Sequence, residues 1–378
     1  MRARPLIALA FGLALPALST LAQAPASPAT QVPATLKDAF HGAFYVGVAV
    51  NSAQITGADA QGDELIVQQF DSITPENVMK WALIHPRPDA YDFTLADKYV
   101  EFGQQHHMFI VGHNLCWHSQ TPAWVFKDEK GNPMTRDALL DRLHDHIKTV
   151  VGRYKGKVQS WDVVNEALNE DGTMRQSPWE KIIGDDYVIK AFQWAHEADP
   201  DAQLNYNDYN MESAAKRKGA IELVKKIKAA GVPVAVVGSQ AHLHLSGSAA
   251  DEEAAIEEFS AAGVKVAITE LDIDVLPSTW NHTADVGAKV EEKPNLNPYA
   301  NGLPDDVQQQ LTKRYADLFA VFWKHRDVVN RVTFWGTTDK GSWLNNWPVR
   351  GRTSYPLLFD RDGKPKPAFY AVLKAAQQ

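Results

Sequence analysis

Short apolar, β-branched-rich runs alternate along this chain with longer stretches in which apolar residues recur every three or four positions. The runs lie at 44–51, 69–74, 108–115, 158–166, 203–208, 234–242, 265–273 and 331–336. Near-continuous apolar runs of this length read as strands buried on both faces, the pattern of a parallel sheet. Amphipathic stretches at 95–105, 135–154, 187–198, 214–230, 251–262 and 304–324 read as helices between them, several ended by Gly or Pro. Eight such runs with helices between them predict an α/β fold, a single (β/α)8 TIM barrel. A doubly wound open sheet is the rival. No glycine-rich phosphate fingerprint follows the first run, which weighs against it.

The N-terminal end of the chain reads differently from its body. Arg2 and Arg4 precede an apolar run from Leu6 to Leu15, and Ala22-Gln-Ala24 offers small residues for cleavage. Residues 1–24 therefore read as a secretory signal peptide, cut near Ala24, with the mature protein secreted or periplasmic. The apolar run is too short to span a bilayer, so no membrane association is expected. Residues 25–34 (PASPATQVPA) read as a flexible lead-in, leaving 35–378 as the folded domain. Within it, 274–303 is rich in Pro, Gly and polar residues without periodicity and reads as one long loop, a kind that is usually functional. Asn281-His-Thr283 in that loop fits the N-glycosylation pattern, a short motif that carries little weight alone.

Composition narrows the chemistry. A 45% hydrophobic content suits a large core, and a net charge of −8 disfavours nucleic acid or any polyanion as partner. Cys116 is the only cysteine, so no intramolecular disulfide can form, and it reads as a small buried hydrophobe. A monomer without cofactor or metal is expected.

Candidate catalytic residues lie at the strand ends. Glu166 closes the fourth run and Glu270 lies in the seventh. Carboxylates at the C-terminal ends of barrel strands are poorly placed for packing and well placed for chemistry. Two of them converging on one cleft are the minimal apparatus for glycosidic hydrolysis. The second run leads into Glu76-Asn77-Val-Met-Lys80-Trp81, and the third ends in Gly112-His113-Asn-Leu-Cys-Trp117-His118-Ser-Gln120. The remaining ends carry Asn165, Asn207-Asp-Tyr209-Asn210, Gln240-Ala-His242-Leu-His244, Asp272, Trp335 and, nearby, Trp343. Amides, carboxylates and histidines suit sugar hydroxyls, and indoles suit pyranose C–H faces. Of the tryptophans, Trp194 and Trp323 read as packing, whereas Trp81, Trp117, Trp124, Trp335 and Trp343 read as candidates for a cleft wall. The His242/His244 pair on one strand face, with His113 and His118, leaves a metallohydrolase reading open but less favoured. His106 and His107 precede the third run and read as surface or packing residues.

The segments ENVMKW, GHNLCWHSQTPAW, WDVVNE, NDYN, QAHLHL, ITELDI and WGTTDKGSW together resemble glycoside hydrolase family 10, the retaining endo-β-1,4-xylanases, over about residues 35–375. The resemblance implies a barrel that cleaves internal links of xylan and xylo-oligosaccharides, with Glu166 as acid/base and Glu270 as nucleophile. It further implies substrate contacts from Glu76, Asn77, Lys80, His113, Trp117, Gln120, Asn165, Gln240, Trp335 and Trp343. It places His242 against the nucleophile and Tyr209 on the leaving-group side. Asn114, Cys116 and Thr337 depart from the commoner pattern. A cellulase or mannanase on the same barrel, and a non-catalytic sugar-binding protein, are the alternatives; the presence of both glutamates disfavours the last.

Overall fold

The computed structural model describes Met1, residues 35–277 and residues 295–377. Its strands are β1 (Tyr45–Val50), β2 (Ser72–Pro75), β3 (Phe109–Trp117), β4 (Ser160–Asn165), β5 (Gln203–Asp208), β6 (Val236–Ser239), β7 (His242–His244), β8 (Lys265–Asp274) and β9 (Val329–Phe334). From β1 to β6 every strand pairs in parallel with the next. β8 pairs with both β6 and β9, and β9 pairs with β1, so the sheet closes on itself. β7 resumes on β8 only two residues after β6 ends, across Gln240 and Ala241, the latter at φ 56°. β6 and β7 are thus two halves of one barrel strand, and the closed sheet is eight-stranded, as the hydrophobic pattern predicts.

The six amphipathic stretches form the helices Thr94–Gln105, Arg136–Arg153, Tyr187–Ala198, Ala214–Ala229, Ala249–Ala261 and Asp305–Lys324. Helix Arg136–Arg153 illustrates why. Leu139, Leu143, Ile147, Val150 and Val151 recur at helical spacing and are fully buried, each contributing about 1.5–3 kcal/mol. Among the described residues, two further helices of nine residues or more were not legible. Ala60–Gln69 has its apolar residues Leu65, Ile66 and Val67 side by side rather than along a stripe, and only Ile66 is fully buried. It takes up the start of the predicted 69–74 strand, which begins only at Ser72. Pro367–Ala375 opens on proline at its first turn and follows a stretch without periodicity.

Close packing between neighbouring strands sets the position of the strand ends. At Gly112 on β3 a Cβ would lie 2.1 Å from the Trp161 ring on β4, so only glycine lets that indole, 1% exposed, lie against the strand.

Residues 2–34 and 278–294, which contain the expected signal peptide beyond Met1, the lead-in and Asn281, lie outside the described residues. The described flanks of the 274–303 loop are anchored: Arg352 pairs with Asp274 at 3.5 Å, and Thr353 N donates to Asn297 at 2.8 Å. Among the described residues no helix is long and apolar enough to cross a membrane.

Candidate active site

Glu166 is the first residue past β4 and Glu270 lies on β8, and strand register explains what surrounds them. Asn165 is level with Trp117 on one side and Asn207 on the other. His242 is level with Asp272, two residues beyond Glu270 and therefore on the same face of β8. The result is a cavity of about 150 Å³ lined by Glu76, Asn77, Lys80, His113, Trp117, Gln120, Asn165, Glu166, Gln240, His242, Glu270, Trp335 and Trp343. The chain's chemistry converges there from strand ends around the barrel.

Glu166 is 4% exposed. Trp117 Nε1 donates to its Oε2 at 2.8 Å, while Gln240 Nε2 and Asn165 Nδ2 donate to Oε1 at 3.1 and 3.2 Å. Its backbone sits at φ 56°, a left-handed conformation uncommon for glutamate and typical of functional positions. Burial first, then the negative charges of Asp208 and Glu270, lift its carboxyl to about 7 against the hydrogen bonds from Gln240 and Trp117. It can therefore carry a proton near neutrality.

Glu270 is buried as deeply, 5% exposed, and goes the other way. Burial opposes its ionisation, but the hydrogen bond from His242, the charges of His113 and His242 and the Asn207 amide outweigh it, so its carboxyl lies below the usual range. His242 Nε2 reaches Glu270 at 3.2 Å and Nδ1 reaches Asp272 at 3.0 Å; Asn207 Nδ2 donates to Glu270 at 2.9 Å and Trp343 Nε1 to Asp272 at 2.7 Å. Burial disfavours a charged His242, yet the two carboxylates raise it to about 10. It is an imidazolium at neutral pH with both ring nitrogens donating. Two buried carboxyl groups with opposite protonation are the signature of an acid paired with a nucleophile or base.

The rest of the wall is built for hydroxyl groups. Lys80 Nζ donates to Gln120 at 2.8 Å and Asn77 at 3.2 Å, and Gln120 Nε2 donates to Asn77 at 3.1 Å, closing a polar triangle. Lys80 also sits 4.9 Å from the Trp117 ring centre. Burial lowers its ammonium against the attraction of Glu270, Glu76 and Glu166. Burial raises Glu76, opposed by Lys80 and Asn77. His113 Nδ1 meets its register partner Asp162 at 2.9 Å, and its ring meets Trp335 edge to face at 5.6 Å.

Of the residues singled out in the sequence, Tyr209 stands apart. It is buried and absent from the cavity wall; its hydroxyl accepts from Arg175 at 2.5 Å, and Lys216 Nζ lies 3.4 Å from its ring centre. Trp81 and Trp124 are also not on the wall. Trp81, 2% exposed, stacks on His146 at 3.6 Å, and Trp124 donates to Pro86 O at 3.0 Å. His242 engages both ring nitrogens with carboxylates, so neither nitrogen is left to act as a metal ligand. Asp162 was missed, and Asp272 and Asn207, although noted at strand ends, were given no role of their own. Asp272 had a readable signal, its two-residue offset from Glu270 on a strand.

A closed parallel barrel with two buried glutamates at its strand ends, walled by indoles and amides, has the build of a glycoside hydrolase. The sequence profile of glycosyl hydrolase family 10 matches residues 35–375, and the chain belongs to that family. It is 45% identical to an endo-1,4-β-xylanase A of Xylanibacter ruminicola, over 93% of this chain and 95% of the relative. An endo-1,4-β-xylanase of Geobacillus stearothermophilus is 42% identical over 90% and 98%. Among solved structures, a GH10 endoxylanase from a sugarcane soil metagenome superposes with a TM-score of 0.86 at 48% identity, covering 90% of this chain and 99% of that one.

Proposed function

We propose that this protein is an endo-1,4-β-xylanase that cleaves internal links of xylan with retention of configuration. The observation that carries the reading is the convergence of Glu166 and Glu270 on one cavity, the first held by neutral donors and the second against His242; its relatives being xylanases supports the substrate. Glu270 attacks the anomeric carbon while Glu166 gives its proton to the glycosidic oxygen, so the bond breaks and the leaving chain departs as an alcohol. The sugar is then held as an ester of Glu270. Glu166, now a carboxylate, takes a proton from water, whose oxygen attacks the same carbon from the face the leaving group vacated and frees Glu270. Asn165, beside the acid, is placed for the sugar 2-hydroxyl, an interaction that strengthens as positive charge develops on the ring. Trp335 and Trp343 close the glycone side against the extra hydroxymethyl of a hexose, a discrimination of about 1–3 kcal/mol.

Export fits the same reading, since xylan is a polymer outside the cell. The charged start, the short apolar run and Ala22-Gln-Ala24 support it. A net charge of −8 supports an enzyme without nucleic-acid partners, here proposed as a monomer.

The test separates the two carboxyls. Glu166→Ala should abolish xylan hydrolysis yet still form the ester from an aryl xylobioside with a good leaving group, and azide should restore turnover with a β-azide as product. Glu270→Ala should lose the ester, and any azide product should be α. Full xylanase activity in either variant would refute the assignment.

A further inference from the structure

After burial, the charge that most strongly keeps Glu166 protonated comes from Asp208, ahead of Glu270. Asp208 is the last residue of β5, the strand beside β4, and neither step of the hydrolysis gives it a part. Its carboxylate is fully buried, and so is Lys216 on helix Ala214–Ala229, whose Nζ lies 2.9 Å from Asp208 Oδ1. Tyr209 N also donates to Oδ1 at 2.9 Å, and Tyr206 Oη and Leu168 N donate to Oδ2 at 2.5 and 3.3 Å. Leu168 is only two residues beyond Glu166, and Glu166 N itself donates to Asn207 O at 2.9 Å. The chain that carries the acid is therefore laid directly on the end of β5. The Asp208 backbone carbonyl accepts from Gln240 N at 3.0 Å, and Gln240's side chain donates to Glu166.

A buried ion pair is a costly way to fill space, and apolar groups of the same volume serve stability as well or better. What the pair does supply is fixed charge in a low-dielectric wall, where charge acts most strongly. We propose that Asp208 and Lys216 are a positioning pair for Glu166: the buried carboxylate, bonded to Leu168 N two residues past the acid, fixes both the chain that carries Glu166 and a charge in the wall behind that chain, and the ammonium balances that charge. The proposal rests on Glu166 being the acid/base. The other charged or titratable groups facing Glu166 are Lys80, His118 at 4.0 Å and Glu270. Those around the pair are Glu170, 3.4 Å from Lys216 Nζ, Glu212, which the Lys216 charge also reaches, Tyr206 and Tyr187 beside Asp208, and Arg175 beside Tyr209. None of these changes in the experiment.

The experiment compares kcat/KM against pH on xylo-oligosaccharides for the wild type, Asp208→Asn and Lys216→Gln. The free enzyme's acid sets the alkaline limb of that profile. Asp208→Asn removes the negative charge, so the limb should move to lower pH, on the order of one unit. Lys216→Gln removes the opposing charge, so the limb should move to higher pH. Opposite shifts are what a merely structural role would not produce. With an aryl xylobioside whose leaving group departs without a proton, the limb should be absent from all three profiles. Shifts in one direction, or none, would overturn the proposal. Should Asp208→Asn fail to fold with Lys216 left unpaired, Lys216→Gln decides alone: an upward shift supports the pair and any other result refutes it. A Glu166→Gln control that keeps both activity on xylo-oligosaccharides and the limb would instead sink the assignment of the acid and leave the pair without a target.

Discussion

His242 joins two carboxylates that would otherwise repel, and the chemistry depends on the charge it carries. Its hydrogen bond is the strongest influence opposing the burial of Glu270. Replacing it by asparagine removes a charged donor, so the Glu270 carboxyl should rise toward and past its ordinary value. Only the ionised carboxylate attacks, so the acid limb of kcat/KM should move to higher pH, by about one unit or more, while the rate at the optimum falls. An acid limb that stays in place would show that Glu270 is held ionised by something else. At this scale the two glutamates were readable because a carboxylate ending an apolar run has little packing use. Asn207 and Asp208 were harder. Each is an ordinary polar residue at a strand end, and its role comes from partners distant in sequence: Glu270 on β8 for Asn207, Lys216 and the chain after β4 for Asp208.

Elements were legible where one periodicity ran unopposed, and the exceptions come from local geometry. Trp81 follows a strand end, as cleft residues do, yet it begins the one-turn helix Trp81–Ile84, which lays its ring on His146 of helix Arg136–Arg153. The rings are 3.6 Å apart and 4° from parallel, and His85 extends the stack with its Nδ1 3.4 Å from that of His146. Burial, with the charge of His85, holds His146 well below its ordinary 6.5, and burial also lowers His85. The sign follows directly. Below 6.5 the unfolded chain binds protons that the folded stack refuses, so stability is fully present above that pH and declines as pH falls beneath it. His146→Leu should lose about 1–3 kcal/mol at pH 7 through imperfect packing on Trp81. It should also lose less stability than the wild type between about pH 7 and pH 5, the window in which the buried imidazole would have to charge. Urea unfolding at the two pH values measures both quantities. Parallel losses in the two proteins would exclude His146 as the titrating group.

For the whole molecule, the pattern predicted eight strands because a closed parallel barrel buries every strand on both faces, and each run had to be apolar throughout. The ends of the chain obey no such rule, and there the folded part must be found from anchoring. Thr35 caps the first turn, accepting from Asp38 N at 3.3 Å, and Leu36 N donates to Gln69 Oε1 at 3.1 Å. Leu36 and Phe40 are fully buried, and Phe40 stacks on Phe44 at 4.8 Å and lies tilted against Phe319 at 5.3 Å. The barrel therefore needs the chain from about residue 35 onward, ten residues beyond the expected cut after Ala24. A chain beginning at residue 25 and one beginning at 35 should share one unfolding temperature and one kcat on xylan. A chain beginning at residue 41 discards two core side chains worth roughly 2–5 kcal/mol each. That is a large share of the roughly 5–15 kcal/mol that typically holds a folded protein together. It should melt far lower or fail to fold. Intact mass of the mature protein recovered from its host tests the other half; if residues 1–24 are removed as proposed, it should give a chain starting near Pro25. A retained residue 1, or a chain beginning at residue 41 that is as stable as the full one, would break the argument at the end it concerns.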